Sequence, residues 1–339
     1  MGEIKQFRGD LLRWFAAHQR ALPWRETRDP YRIWVSEIML QQTRVAAVIP
    51  YYHRFLERFP DFRALASAPE AELLAYWAGL GYYYRARNMQ QAARLMRERG
   101  KFPSTYEEIR ELPGVGDYTA AAVSSIAYDL PHAALDGNVL RVLSRVLDDR
   151  TNIASSVGRR RFTALAQELL DTEHPGAFNQ AMMELGATVC LPKNPQCLLC
   201  PVANLCRARA SGMQNELPVK AARSAIVQER RAVFWIEKEG KLLLWQRPPT
   251  ARLMPGFWEL PEAIHLPDAT PGRKLGSFRH GITFHSYSFE VRAAAAPTEI
   301  GECQWVALTQ LGRLPASTIV EKARRSILRV NSARLEETE

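Results

Sequence analysis

Apolar residues recur at helical spacing from Phe7 to about Leu185, and the run is punctuated at Pro60, Gly79, Gly81, Pro103, Pro113, Gly114, Gly116 and Pro131. This rhythm predicts an all-α region of helices joined by short turns. Past residue 185 the texture changes. Four cysteines close the helical part, and residues 215–228, with Pro218 and scattered basic side chains, read as a linker. Residues 232–236 and 241–246 then flank Glu239-Gly240 as the arms of a hairpin would. Residues 285–291 alternate polar and apolar, and 303–308 read as another strand, so the last third is α+β. The expected boundaries are an all-α domain over 1–214, a linker over 215–228 and an α+β domain over 229–339. No internal repeat, heptad or low-complexity tract interrupts this plan.

Length supports the division, because 339 residues exceed what one hydrophobic core usually sustains. A hydrophobic fraction of 47% and a charged fraction of 24% are those of a globular protein. No apolar run approaches the length needed to cross a bilayer, and residues 1–10 do not read as a signal peptide. Five cysteines, with Cys303 left over from a cluster of four, point to a reducing compartment, and the expectation is a cytoplasmic protein. The net charge of +9 favours a polyanionic partner through counterion release; the excess is +6 over residues 1–225 and +3 over 226–339.

The four clustered cysteines, Cys190, Cys197, Cys200 and Cys206, are separated by six, two and five residues and interrupted by Pro192, Pro195 and Pro201. Four thiolates in one short, proline-stiffened loop answer the tetrahedral demand of a metal ion or of a cubane cluster. A second motif, Leu112-Pro113-Gly114-Val115-Gly116-Asp117-Tyr118-Thr119, is a glycine turn opening an alanine-rich helix. Glycine lets backbone amides approach a phosphate, and the following helix N-terminus adds partial positive charge. A third, Leu135-Asp136-Gly137-Asn138-Val139, sets an aspartate at a helix start, the place of an N-cap.

Together the glycine hairpin, Asp136 and the cysteine loop resemble the helix-hairpin-helix DNA glycosylases of the endonuclease III superfamily, over about residues 8–210. The resemblance implies that Gly114, Val115 and Gly116 grip the DNA backbone without reading sequence. It also implies that Asp136 is essential and that the four cysteines hold a [4Fe-4S] cluster. Relatives that also cut the strand carry a lysine two residues after the last hairpin glycine, where its amine attacks the sugar. Tyr118 stands there and has no amine to condense, which implies a monofunctional enzyme.

Glu37 selects the branch. Asp29 as N-cap and Pro30 in the first turn start a helix that carries Glu37 on its apolar stripe with Ile33 and Trp34. Burial there raises a carboxyl pKa, as a general acid near neutrality requires; the alternative is a structural glutamate paired with Arg25 or Arg32. The string Ser36-Glu37-Ile38-Met39-Leu40-Gln41-Gln42-Thr43 resembles the signature of the adenine DNA glycosylase family. Membership implies removal of adenine mispaired with 8-oxoguanine or guanine in double-stranded DNA. Glu37 would protonate adenine, Asp136 would stabilise the sugar cation, Tyr118 would screen the intermediate, and Asn138 would orient Asp136 or the water. It further implies that Gln42, Thr43, Leu80 and Tyr82 surround the mispair and that Trp24 and Arg25 lie near the adenine pocket, with monomeric action on DNA.

The last domain resembles the Nudix-like module that recognises 8-oxoguanine in this family, through residues 243–248 and 254–261. It lacks the glutamate-rich helix that holds magnesium in Nudix hydrolases, so pyrophosphatase activity is not expected. His280 and Thr283 are the residues implied to read the lesion. Ile282 and Phe284 depart from the aromatic and histidine that many relatives carry on either side of the serine position. Three other readings compete: a bifunctional endonuclease III-like glycosylase and lyase, a redox-responsive DNA-binding protein, and a Nudix hydrolase with an appended helical domain. Tyr118 opposes the first, Glu37 and Asp136 the second, and the missing metal helix the third.

Overall fold

The computed structural model describes residues 2–220, 226–251, 254–282, 285–295 and 298–336. Among the described residues twelve α-helices come first: α1 Gly2–His18, α2 Pro30–Leu40, α3 Val45–Arg58, α4 Phe62–Ser67, α5 Glu70–Trp77, α6 Tyr84–Arg99, α7 Tyr106–Arg110, α8 Asp117–Tyr128, α9 Gly137–Val146, α10 Ser156–Leu169, α11 Pro175–Thr188 and α12 Arg207–Ala210. Seven strands follow, β1 Val227–Trp235, β2 Glu237–Lys238, β3 Lys241–Gln246, β4 Trp258–Glu259, β5 Pro271–Ile282, β6 His285–Ala294 and β7 Cys303–Ala307, before helix α13 Thr318–Glu336. The chain forms two compact units. One holds the described residues from 2 to 67 and from 88 to 220; the other holds those from 68 to 87 and from 226 onward.

In the first unit, side-chain caps fix where helices begin. Asp29 accepts from the amide of Tyr31 at 2.8 Å and from that of Arg32, with Pro30 pre-set for the first turn, so α2 starts where the sequence predicts. Thr105 and Glu108 form a reciprocal capping box on α7. Asp136 caps α9 through the amides of Asn138 and Val139. Phe7, Leu11 and Phe15, one α1 stripe, pack with Val142 and Leu143 of α9, Phe162 of α10, and Phe178 and Leu185 of α11. Cys190 and Cys200 lie against this same core, so the cysteine loop is anchored on the helices that carry Asp136.

The second unit contains two sheets. One has the order β1-β6-β5, with β1 parallel to β6 and β5 antiparallel to β6 in the register Phe278↔Phe289. In the other, β3 pairs antiparallel with β2, β4 and β7, Leu243 lying opposite Trp305. Glu239 and Gly240 both take left-handed φ angles, 51° and 71°, and close the β2–β3 turn as expected. The predicted first arm is corrected, however. Residues 232–235 belong to β1 and pair with β6, and only Ile236 and β2 reach β3, Ile236 accepting from the Leu243 amide. The strand changes sheets at Ile236, so Phe234 and Ile236 bury into the cluster around Leu243 and Cys303 while Val233 joins the core of Leu242 and Phe289. Helix α13 packs along β5, with Val320 and Ala323 in that core.

Candidate active site and cysteine centre

Glu37 sits on the third turn of α2, 5% exposed, flanked by the buried Ile33, Trp34, Ile38 and Met39. Its hydrogen-bond partner is a phenol. Tyr118, on the first turn of α8, donates from its Oη to Glu37 Oε2 at 2.7 Å, with Met183 Sδ at 3.6 Å from the same oxygen. Burial pushes the Glu37 carboxyl from 4.5 up to about 7; the Tyr118 bond opposes that rise, the Asp136 charge adds to it, and Arg25 reduces it. Burial, together with the charges of Glu37 and Asp136, holds the Tyr118 phenol well above 10, so at neutral pH it stays a donor. Neither arginine of the structural alternative bonds Glu37: Arg25 bonds Glu184 at 2.8 Å, and Arg32 lies 3.7 Å from Asp29.

Asp136 is held differently. Its Oδ1 accepts from the amides of Asn138 at 2.8 Å and Val139 at 2.7 Å, and its Oδ2 accepts from Asn138 Nδ2 at 2.8 Å. Burial raises this carboxyl above 3.8, and those three bonds with the Arg141 charge offset only part of the rise. The two carboxyls are solvated differently: Glu37 has one phenol donor in an apolar setting, whereas Asp136 has three N–H donors and a helix N-terminus. Asn138 is fixed in turn by Arg141, which donates to Asn138 Oδ1 at 2.9 Å, to the Gly186 carbonyl at 2.8 Å and to the Cys190 carbonyl at 2.8 Å. A Cβ on Gly186 would stand 2.6 Å from that of Asn138, so only glycine allows α11 this close. Arg141 carries no sequence signal because the Gly186 and Cys190 carbonyls that fix it lie 45 and 49 residues on.

Trp24 and Arg25 occupy a single 3₁₀ turn, Pro23–Arg25. Trp24 is buried edge-on to Tyr52, with centroids 5.4 Å apart. Arg25 and Arg20 both bond the buried Glu184, whose carboxyl burial would raise but these guanidinium bonds hold down to about 2. Glu184 is a second residue without a sequence signal. Gln42 is exposed with a left-handed φ of 57°, and Thr43 Oγ1 reaches the Gln41 carbonyl at 3.3 Å. The neighbouring Gln41 bonds Thr119 Oγ1 at 3.3 Å, linking the end of α2 to α8. A non-glycine residue with positive φ is uncommon and marks a constrained site.

The same holds in the second unit at Tyr82, with φ 48° and 38% of its surface exposed, while Leu80 is buried. Arg85 builds this loop: it donates to the Leu80 and Gly81 carbonyls at 3.1 and 3.0 Å, and its guanidinium lies over the Trp77 and Tyr82 rings. Burial lowers its pKa to about 10, and it too was invisible in the sequence. Tyr83 packs on Phe257 with centroids 4.0 Å apart, and Arg87 donates to the Pro255 carbonyl at 2.6 Å. His280 accepts from Lys322 at its Nδ1, 3.0 Å away, so its proton resides on Nε2. Burial, followed by the Lys322 charge, lowers its pKa. Thr283 lies outside the described residues.

The glycine hairpin joins α7 to α8. Gly114 has φ 77°, and a Cβ there would lie 2.8 Å from that of Asn88; Val115 is buried and Gly116 is the N-cap of α8. Four free thiols, Cys190, Cys197, Cys200 and Cys206, line one cavity with Val142, Val202 and Arg145. Among the described residues no three His, Cys, Asp or Glu side chains converge closely enough for a single metal ion. Burial pushes the Cys200 thiol up to about 12, so thiolates here need positive charge beside them. Arg145 donates to Cys190 Sγ at 3.3 Å and to the Leu191 and Leu217 carbonyls, bracing the loop.

Residues 35–167, which include Glu37, the hairpin, Tyr118 and Asp136, match the HhH-GPD superfamily base excision DNA repair protein family. The chain is 39% identical to the human adenine DNA glycosylase over 81% of its own length and 60% of that protein's. It is 34% identical to the mouse adenine DNA glycosylase over 95% of its own length and 78% of that protein's. The enzyme of the same name from Buchnera aphidicola subsp. Baizongia pistaciae is 35% identical, with 70% of each chain covered. Among solved structures, a thermostable thymine-DNA glycosylase superposes with a TM-score of 0.56 at 29% identity, covering 62% of this chain and 98% of that one. A non-covalent endonuclease III–DNA complex gives 0.53 at 26% identity, over 62% and 98% of the respective chains. An all-α glycosylase fold with a buried acid and a capped aspartate, in a sequence this similar over its length, leaves one assignment: the chain belongs to the adenine DNA glycosylase family of helix-hairpin-helix base excision repair proteins.

Proposed function

We propose that this chain hydrolyses the N-glycosidic bond of adenine mispaired with 8-oxoguanine or guanine in duplex DNA, without cutting the strand. The observation that carries the reading is Glu37, buried and held near 7, hydrogen-bonded at 2.7 Å to a tyrosine at the position where strand-cutting relatives have lysine. Adenine leaves poorly as an anion, so its departure calls for a proton. A carboxyl that is half protonated near neutrality can donate it from a dry setting. Asp136, whose carboxylate form is favoured by three N–H donors, answers the positive charge that develops on the sugar. Asn138 orients Asp136, and Tyr118 keeps Glu37 in place and offers no amine for a Schiff base.

In this reading Gln42, Thr43, Leu80 and Tyr82 fill the space around the flipped base. Both Gln42 and Tyr82 sit at left-handed backbone positions, uncommon for residues other than glycine. Trp24 and Arg25 flank the adenine pocket, and the 114–116 turn grips the backbone. The second unit acts as a Nudix-like lesion reader through His280, whose Nε2–H is available as a donor, and Thr283. The domain plan of 1–214, 215–228 and 229–339 serves this division of work, with the enzyme acting as a monomer on cytoplasmic DNA. Cys190, Cys197, Cys200 and Cys206 fit a [4Fe-4S] cluster: four unpaired thiols line one cavity, backed by Arg145. When bound, such a cluster supplies a rigid scaffold for the loop, from which the Cys190 carbonyl holds Arg141. Duplexes with adenine opposite 8-oxoguanine, guanine or thymine, scored for free adenine and for a borohydride-trapped adduct, test the reading. Release from the first two without an adduct is expected; an efficient adduct would overturn the monofunctional assignment.

A further inference from the structure

Strand β5 and helix α13 enclose a groove of about 750 Å³ that none of the chemistry above uses. Its floor is tight, because Gly276 of β5 faces Ser326 of α13 so closely that a Cβ on the glycine would lie 2.5 Å from Ser326 Oγ. Five cations border it, Lys274 and Arg279 from the strand and Lys322, Arg325 and Arg329 from the helix, and no acidic residue is among its lining. Glu290 lies 3.7 Å from Lys274, and Glu321 accepts from Arg325 at 2.8 Å, which leaves a net positive trough. Among the described residues Arg279 and Arg329 make no ion pair. Lys322, Arg325 and Arg329 follow at three- and four-residue steps, so along the helix axis their stems are spaced about 4.5 and 6 Å and span about 10 Å. That is the axial reach of about four successive phosphates of one strand, three steps of ~3.4 Å each.

We infer that this groove holds the phosphate backbone of the DNA strand, as a second contact supplied by the C-terminal unit. The inference rests on the proposed DNA reading, and the groove is continuous with it. Arg279 and His280 are neighbours on β5, Lys322 bonds both the Arg279 carbonyl and His280 Nδ1, and His280 is itself one of the residues assigned to the lesion. The trough therefore leads away from the lesion-reading end along a row of cations, where a strand that passes His280 would continue. A backbone partner asks for positive charge at regular spacing, which is what the groove offers.

The test uses the full chain and an undamaged duplex, with Kd measured by fluorescence anisotropy between 50 and 200 mM KCl. Arg325→Gln/Arg329→Gln should reduce the slope of log K against log salt by about 2, at ~0.9 per lost phosphate contact, and weaken binding about tenfold at the middle of the range. Arg279→Gln, on the opposite wall, should lower the slope by about 1, and Arg325→Lys/Arg329→Lys should keep it. Unchanged slopes in both glutamine variants, with unchanged thermal melts, overturn the inference and leave an acidic protein segment as the groove's occupant. Adenine release by the unsubstituted chain is read separately, so failure of the catalytic reading would not be mistaken for failure of this one.

Discussion

Replacing Glu37 by glutamine should stabilise the protein in a pH-dependent way. The carboxyl is held at about 7 in the folded chain against an ordinary 4.5. The folded state thus keeps this proton to higher pH than the unfolded state does. Stability from this site is full below 4.5, falls as pH rises towards 7, and is flat beyond. At ~1.4 kcal/mol per pH unit the interval amounts to roughly 3 kcal/mol of folding free energy lost by pH 8. Glutamine preserves the acceptor for the Tyr118 hydroxyl and does not titrate, so it removes the penalty and little else. Urea unfolding of both proteins, followed by helical signal at pH 5 and pH 8, measures the effect. The variant's advantage should grow by roughly 2 to 3 kcal/mol between the two pH values. A gap that is the same at both would mean that Glu37 is not a strained acid, and the argument for its catalytic protonation would go with it.

Tyr118→Phe removes the donor that stabilises the Glu37 carboxylate, so the protonated form gains and the basic limb of adenine release should move to higher pH, by on the order of one unit. Single-turnover release measured from pH 5 to 9 checks this, and an unchanged or lower midpoint contradicts it. Gly186→Ala would press its methyl group onto Asn138 and displace the amide that holds Asp136. With overpacking worth about 1 to 3 kcal/mol, release should slow by about tenfold or more while duplex Kd changes little. An unaltered single-turnover rate would show that Asp136 does not depend on Asn138 for its position.

What could be read from the sequence alone was what is local. The cap at Asp29, the cap at Asp136, the left-handed turn at Glu239-Gly240 and the helical rhythm of the first unit each depend on residues within a few positions of one another. The 81-residue span from Glu37 to Tyr118 does not, and only a family resemblance brought the two together before the structure did. Arg85, Arg141 and Glu184 remained hidden for a related reason. Each is an ordinary charged residue whose importance comes from carbonyls or guanidinium groups that the fold, not the spacing, delivers. The parallel pairing of β1 with β6 has no turn to announce it, since its partners are 58 residues apart, and the hairpin expectation claimed residues 232–235 instead.

The central claim is that Glu37 is the acid that makes adenine leave. Single-turnover release of adenine from a duplex with adenine opposite 8-oxoguanine, compared for the unsubstituted chain and Glu37→Gln under saturating protein, tests it most directly. Release by the first, none by the second, and the same duplex Kd for both are expected. Release by Glu37→Gln at a rate within about tenfold of the unsubstituted chain would contradict it, because general acid catalysis alone contributes about 10²- to 10⁴-fold.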